Sequence, residues 1–140
     1  MSKVQIFADW QNGMAFEADV DGHKLMLDAS ENVGGTNKGP TPKPLMLVAL
    51  AGCTGMDVIS ILKKMKVDVK NFRVSVEADQ TEEHPKHYTA MKVIYEFWGT
   101  NLPLESINKA VSLSEEKYCG VSAAYRKGMT ITHEVRINEE

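Results

Sequence analysis

Apolar and polar residues alternate in three short segments that precede residue 30. The alternating apolar positions are Val4, Ile6, Ala8 and Trp10, then Met14, Phe16, Ala18 and Val20, and finally Leu25 and Leu27. A period of two residues is that of a β-strand with one buried face. The dipeptides Asn12-Gly13 and Asp21-Gly22 separate the segments, and both favour the tight turns of hairpins. The pattern therefore predicts a three-stranded antiparallel meander.

A loop and then a long apolar helix are predicted next. Glycine and proline are frequent in residues 32–44, which excludes regular structure there. The helix is predicted from an N-cap at Thr41, with Pro42 in its first turn, to about Met65. Residues 45–51 are all apolar, whereas a surface helix has a single apolar stripe. We therefore expect a long buried central helix that a sheet covers on one side, and a second subunit is a candidate for the other side.

Two glycines, Gly52 and Gly55, lie inside this helix. Each weakens a helix by about 1 kcal/mol relative to alanine. We expect that they are retained because a neighbouring surface approaches the helix closely.

The remaining chain predicts three more strands and a second helix. Alternating apolar positions fill residues 72–78 and 91–97, a polar hairpin tip joins them, and an amphipathic helix begins at Pro103. A short turn or helix is expected at 118–124, before a last strand at 129–137. The order β-β-β-α-β-β-α-β predicts an α+β fold with an antiparallel sheet, in a single domain over residues 1–140.

Charge and composition narrow the possible partners and compartment. The chain has 140 residues and a net charge of −3, which gives no electrostatic reason to expect nucleic acid or anionic lipid as a partner. The N-terminus lacks the apolar core of a signal peptide, and Asp57 interrupts the apolar helix, so we expect no membrane span. The expected location is the cytoplasm, where paired cysteines favour catalysis or redox sensing over a structural disulfide.

The sequence contains two cysteines, Cys53 in the long helix and Cys119 after the second helix. Their separation fits neither a zinc knuckle nor a Cys-x-x-Cys motif, so two inert buried thiols remain an alternative at this point. His84 and His87 have the spacing of a metal pair, but no third ligand is apparent. We therefore predict no metal site. His133 is expected to be a hydrogen-bonded core or interface histidine.

Two motifs resemble those of the OsmC/organic hydroperoxide resistance (Ohr) superfamily. The first is Gly39-Pro40-Thr41-Pro42, followed by Cys53 and then Asp57-Val58-Ile59, and the second is Lys117-Tyr118-Cys119-Gly120-Val121-Ser122. The order of strands and helices is similar as well. The resemblance is closest to the YhfA-like branch, which shares the loop Gly-Gly-x-Asn-basic-Gly-Pro-x-Pro.

This resemblance implies an intertwined homodimer with its active sites at the subunit interface. It implies that Cys53 is the thiol that attacks the peroxide O–O bond and becomes a sulfenic acid, and that Cys119 resolves the sulfenic acid as a disulfide. Small apolar organic hydroperoxides are the implied substrates. No cofactor is implied beyond a thiol reductant, which for the peroxidase branches is a dithiol of the lipoyl type.

The chain departs from the peroxidase pattern at the groups that activate the thiol. Peroxidase members use an arginine from an early loop and a glutamate near the start of the central helix, whereas residues 1–29 contain no arginine and 42–45 contain no glutamate. Cys53 lies about three turns into its helix, so the helix dipole gives little help. Lys38 aligns with a basic residue of the YhfA-like branch and is the best candidate for the activating cation. Asp57, one turn after Cys53, is predicted to be a buried and paired structural anchor.

Three functions remain open on the sequence. The first is a cysteine-based thiol peroxidase that uses Cys53 and Cys119. The second is a non-catalytic OsmC-like protein that senses redox state or binds a small ligand. The third is an interaction protein in which both cysteines are inert.

Overall fold

The computed structural model describes residues 1–139. The chain divides into two compact units, one of residues 1–46 and one that begins at Leu47. The single domain expected over residues 1–140 stays a prediction.

The first unit is built on a three-stranded antiparallel sheet in the order β1-β2-β3. Its strands are β1 (Phe7–Trp10), β2 (Phe16–Val20) and β3 (His23–Leu27). Asp21 and Gly22 both have positive φ angles, of 52° and 80°, as a tight hairpin turn with primed geometry requires. The predicted meander is confirmed, although its first strand begins at Phe7 and leaves Val4 outside the sheet.

One buried carboxylate organises the glycine-rich loop after β3. Asp28 accepts hydrogen bonds from the backbone amides of Ala29, Thr36 and Lys38 and from the Thr36 hydroxyl. These hydrogen bonds lower the pKa of Asp28, and the bond from the Ala29 amide has the largest effect. A Cβ atom at Gly35 would lie 1.9 Å from the Ala29 carbonyl oxygen, so only glycine fits there.

Helix α1 (Leu45–Lys64) begins later than the sequence predicted. The residue before a proline is disfavoured in the helical region, and Pro44 follows Lys43, so regular helix begins only after Pro44. A single turn precedes it, in which the Leu45 amide donates to the Pro42 carbonyl. Thr41 is therefore not the N-cap.

Within its own chain α1 is buried along one stripe. Leu50, Thr54, Val58 and Leu62 are spaced four residues apart, and all are at most 1% exposed. Val48 and Met56 lie outside this stripe and are 61% and 77% exposed. By length and composition alone α1 would be able to span a membrane, as the core helices of many soluble proteins would. Val48 and Met56 thus lack cover within residues 1–139.

The two helix glycines differ in their surroundings. A Cβ atom at Gly55 would lie 3.2 Å from the Val74 side chain, so the close approach expected there is confirmed. A Cβ atom at Gly52 would meet nothing within 4 Å in the described chain.

The second unit contains a three-stranded sheet in the order β4-β5-β6. Its strands are β4 (Asn71–Gln80), β5 (Tyr88–Gly99) and β6 (Thr130–Glu139). The pair β4–β5 is antiparallel, but β5 and β6 are parallel, so the prediction of a wholly antiparallel sheet is wrong for the last strand. The reason is that residues 100–129 form a helical crossover long enough to return the chain to the end of the sheet at which β5 begins. The α+β class and the element order are confirmed.

Alternate residues of β5 form the core of the second unit. Met91, Val93, Tyr95 and Phe97 are at most 1% exposed, as their alternation predicted. Phe97 stacks on Phe72 of the neighbouring strand with 4.5 Å between ring centroids.

The crossover consists of three consecutive helical segments. These are α2 (Leu104–Leu113), a π-helical turn (Ser114–Tyr118) and α3 (Gly120–Tyr125). Helix α2 buries Ile107, Ala110 and Val111, and it begins directly after Pro103 as predicted. The short turn or helix expected at 118–124 is present as the helix α3, which begins two residues later.

Candidate active site

The two cysteines, distant in sequence, are neighbours in the second unit. The Sγ atoms of Cys53 and Cys119 are 2.9 Å apart, and both residues are free cysteines. Cys53 is half-buried in the middle of α1, whereas Cys119 is 3% exposed between the π-helical turn and α3. The sulfur atoms need to move less than 1 Å to reach the roughly 2.05 Å of a disulfide bond.

Local backbone structure fixes the position of Cys119. Its amide donates to the Ser114 carbonyl at 2.7 Å, which closes the π-helical turn. The residue then adopts an extended conformation and is the N-cap of α3, where its Sγ accepts the Ser122 amide at 3.3 Å. The buried Ser122 hydroxyl donates back to the Cys119 carbonyl at 3.2 Å. The sequence Cys119-Gly-Val-Ser is therefore a capping motif as well as a cysteine motif.

The surroundings of Cys53 oppose its ionisation. Burial is the main cause that raises the pKa of its thiol, followed by the hydrogen bond with Cys119 and by the charges of Cys119 and Asp57. A hydrogen bond from the Val121 backbone amide acts in the opposite direction. The donors beside the two sulfur atoms are thus the amides of Val121 and Ser122 at the start of α3. Sequence reasoning looked for a cation and missed them.

Asp57 lies beside the cysteine pair. The Ser114 hydroxyl donates to its Oδ2 at 2.9 Å, which joins α1 to the π-helical turn. One carboxylate oxygen and the two Sγ atoms all lie within 4.8 Å of one another. Asp57 is paired, as expected, but it is half-buried rather than fully buried, and its role as an anchor stays a prediction.

Lys38, the candidate cation, belongs to the first unit. Its backbone amide donates to Asp28 at 3.1 Å, and the residue is exposed. Its role beside Cys53 stays a prediction.

A buried carboxylate that the sequence analysis missed holds the π-helical turn. Glu115 is 6% exposed and accepts hydrogen bonds from the Tyr95 hydroxyl at 2.8 Å and from Arg126 at 3.2 Å. His133 Nδ1 lies 3.1 Å from the same carboxylate, so this histidine is hydrogen-bonded as predicted, although its side chain is 40% exposed. Burial and the Glu115 charge raise the pKa of Tyr95 well above its ordinary value. The network joins the turn before Cys119 to β5, α3 and β6.

A pocket of about 540 Å³ opens between α1 and α2, and neither cysteine lines it. Asp57 lines it together with apolar side chains and two lysines, namely Ile61, Met65, Leu113, Tyr118, Lys64 and Lys109. Such a pocket suits a small ligand with an apolar body.

The histidine pair considered as a metal site is exposed at the tip between β4 and β5. His87 Nδ1 lies 2.8 Å from the Pro85 carbonyl oxygen. Among residues 1–139, a group of three potential metal ligands lies close together, and it consists of Cys53, Asp57 and Cys119. Neither His84 nor His87 belongs to this group.

Comparisons with known proteins agree with this architecture. The chain is 31% identical over 135 residues to the protein YhfA of Escherichia coli K12, which covers 96% of this chain and 98% of YhfA. A structure from Aquifex aeolicus, described as a hypothetical protein, has a TM-score of 0.86 and 26% identity and covers 100% of this chain and 99% of its own.

A third comparison links the fold to hydroperoxide resistance proteins. A Legionella pneumophila structure, described as an organic hydroperoxide resistance protein OsmC and predicted redox protein, has a TM-score of 0.68 and 18% identity. It covers 97% of this chain and 99% of its own, and at this identity it shows the fold alone. The family model described as OsmC-like protein matches residues 35–134, which include both cysteines. The chain therefore belongs to the OsmC-like protein family.

Proposed function

We propose that this protein is a thiol peroxidase that reduces organic hydroperoxides through Cys53 and Cys119. The observation that carries the proposal is the 2.9 Å distance between the two sulfur atoms, in a chain without a disulfide. Two free thiols at this distance exchange readily with a disulfide, which is the chemistry that a peroxidase cycle requires. The hydroperoxide resistance proteins that share the fold favour this substrate class.

The cycle begins at Cys53, the more accessible thiol. Its thiolate attacks one oxygen of the hydroperoxide, the O–O bond breaks, and the alkoxide leaves as an alcohol after taking up a proton. Cys53 is then a sulfenic acid. Cys119 attacks its sulfur, a disulfide forms, and the hydroxide leaves as water with a second proton. An external dithiol, of the lipoyl type by family resemblance, reduces the disulfide and is itself oxidised to a disulfide.

The neighbouring residues supply the other requirements of this cycle. The Val121 and Ser122 amides stabilise negative charge on the two sulfur atoms. The pocket beside Asp57 accommodates the organic group of the hydroperoxide. We further propose a homodimer in which a second copy covers the exposed apolar side of α1, and a location in the reducing cytoplasm, where the pair returns to its thiol form.

A redox sensor without turnover is the second candidate. The raised pKa of Cys53 favours it, because only the thiolate attacks peroxide. Arg126, the arginine closest in sequence to Cys119, is bound to Glu115. Such a protein would form the disulfide once for each oxidation event and would not sustain catalysis.

Steady-state turnover distinguishes the candidates. The reduced protein is mixed with cumene hydroperoxide and a dithiol, and consumption of peroxide is followed for the wild type, Cys53→Ser, Cys119→Ser and, as a control, the exposed Glu116→Gln. We expect sustained turnover that Cys53→Ser abolishes, while Cys119→Ser accumulates a sulfenic acid that dimedone traps. Stoichiometric disulfide without turnover would favour the sensor, and a Cys53 that does not react with peroxide would exclude both.

A further inference from the structure

The reduced cysteine pair and Asp57 present three metal-ligand atoms to one point. Cys53 Sγ, Cys119 Sγ and a carboxylate oxygen of Asp57 all lie within 4.8 Å of one another. We propose that the reduced site binds one Zn²⁺ ion through these three side chains and that oxidation of the pair to a disulfide releases the ion. The binding itself does not depend on the proposed peroxidase activity, whereas release of the ion by a hydroperoxide does.

The types of donor atom favour zinc. Thiolates are soft ligands that select Zn²⁺ and disfavour Mg²⁺ and Ca²⁺, and zinc sites accept a carboxylate beside cysteine. Two thiolates and one carboxylate carry three negative charges, which a divalent cation compensates. Three protein ligands leave the fourth tetrahedral position to water, as in an exchangeable site rather than a closed structural one.

The geometry requires only a small adjustment. Two thiolates on one tetrahedral zinc, each about 2.3 Å from the metal, lie about 3.8 Å apart. The sulfur atoms are 2.9 Å apart, between that separation and a disulfide bond of about 2.05 Å. Small rotations of the two side chains therefore lead to either state. The two states exclude each other because a disulfide retains no thiolate.

Hydrogen bonds already orient two of the three ligands. The Ser114 hydroxyl donates to Oδ2 of Asp57 at 2.9 Å and so orients the carboxylate that lies beside the two sulfur atoms. The Ser122 amide holds Sγ of Cys119 at 3.3 Å. Outer hydrogen bonds of this kind fix ligand orientation in zinc proteins. Asp57 lines the pocket of about 540 Å³, which offers the ion a route to the site.

Oxidation would release the ion in a balanced reaction. The two zinc-bound thiolates lose two electrons and form the Cys53–Cys119 disulfide. The hydroperoxide gains these electrons together with two protons, and its O–O bond breaks to give an alcohol and water. Zn²⁺ then leaves the site because both sulfur ligands are consumed.

Anaerobic titration of the reduced, metal-free protein with Zn²⁺ tests the proposal. A chromophoric chelator reports the affinity, and Co²⁺ in place of zinc reports thiolate ligation by its sulfur-to-metal charge-transfer absorption. We expect one zinc per chain, with binding weakened more than about 100-fold by Cys53→Ser or Cys119→Ser and about 10-fold or more by Asp57→Asn. The matched control is His84→Ala combined with His87→Ala, which removes the exposed histidine pair and leaves binding unchanged.

A second measurement remains informative if a cysteine variant does not fold. The wild type is first converted to its disulfide form, which should no longer bind zinc. It is then reduced with a dithiol, the dithiol is removed, and zinc binding should return. The proposal is overturned if oxidised and reduced protein bind zinc equally, or if the histidine control removes the binding. Peroxide turnover is measured separately after chelation, so loss of the peroxidase proposal and loss of the zinc proposal give different results.

Discussion

At the scale of single residues, the properties of Cys53 depend on competing local effects. Burial and the charges of Cys119 and Asp57 favour the neutral thiol, while the Val121 amide favours the thiolate. Since peroxide reacts with the thiolate, these effects set the rate at neutral pH. Asp57 is the residue best suited to test these effects by substitution. Asp57→Asn removes its charge and keeps a side-chain oxygen that can accept the hydrogen bond from the Ser114 hydroxyl.

The rate constant for oxidation of Cys53 should rise continuously with pH through the neutral range. The pKa of its thiol is raised above the ordinary value near 9.0, so the thiolate fraction increases about tenfold per pH unit below that value. Asp57→Asn should lower this pKa and increase the rate at pH 7 by less than about tenfold, because Asp57 is the weakest of the causes.

Stopped-flow measurement with cumene hydroperoxide between pH 6 and pH 10 checks this prediction. The exposed Glu116→Gln is the control for a change in net charge alone. A rate that is flat across this range, or that falls in Asp57→Asn, would contradict the assignment of these effects.

At the scale of elements, the π-helical turn brings Cys119 to α1, and Glu115 holds the turn in place. Two of the groups that bind Glu115 lie on strands β5 and β6, and the third follows α3. The alternation of apolar residues predicted the strands themselves. It did not predict this network, because Glu115, Arg126 and His133 are separated in sequence, and only the folded chain identifies Glu115 as the partner of His133. The parallel pairing of β6 was missed for a related reason, since strand direction depends on the path of the crossover and not on local pattern.

Glu115→Ala should lower the free energy of unfolding by about 3 kcal/mol. The substitution leaves the buried Tyr95 hydroxyl and the Arg126 guanidinium without their shared acceptor. Glu116→Ala, one residue along and exposed, should change the same quantity by less than about 0.5 kcal/mol. Urea denaturation followed by circular dichroism measures both values, and equal effects of the two substitutions would show that the network does not hold the turn.

The helix glycines provide a matched pair within α1. In the monomer that Met56→Glu is expected to give, Gly52→Ala should stabilise the chain by up to about 1 kcal/mol, because helix propensity improves and the new methyl group meets nothing in its own chain. In the same background, Gly55→Ala should stabilise less or should destabilise, because its methyl group would lie 3.2 Å from Val74. Thermal denaturation compares the two variants. A destabilising Gly52→Ala in this background would contradict the prediction.

At the scale of the whole molecule, α1 has more apolar residues than the rest of its own chain buries. Sequence reasoning identified this excess from residues 45–51, and the exposure of Val48 and Met56 agrees with it. The family was also predictable, because its two cysteine motifs are local in sequence. The Val121 amide, which favours the Cys53 thiolate, was not predictable, because a backbone amide lies beside this sulfur only when α3 meets α1.

The protein should be a dimer of about twice the chain mass at micromolar concentration. Met56→Glu should shift it towards the monomer, because it places a charge on the apolar side of α1 that a second copy would cover. Light scattering after size-exclusion chromatography measures the mass, with the exposed Glu116→Gln as the control. A wild-type monomer would contradict the proposed homodimer.

The most direct test of the account is the oxidation state of the two cysteines after one equivalent of cumene hydroperoxide. We predict a single Cys53–Cys119 disulfide in digests analysed by mass spectrometry, formed without a reductant and reversed by a dithiol. Recovery of both thiols in alkylated form, or of Cys53 over-oxidised beside a free Cys119, would contradict the claim that the two sulfur atoms form one redox site.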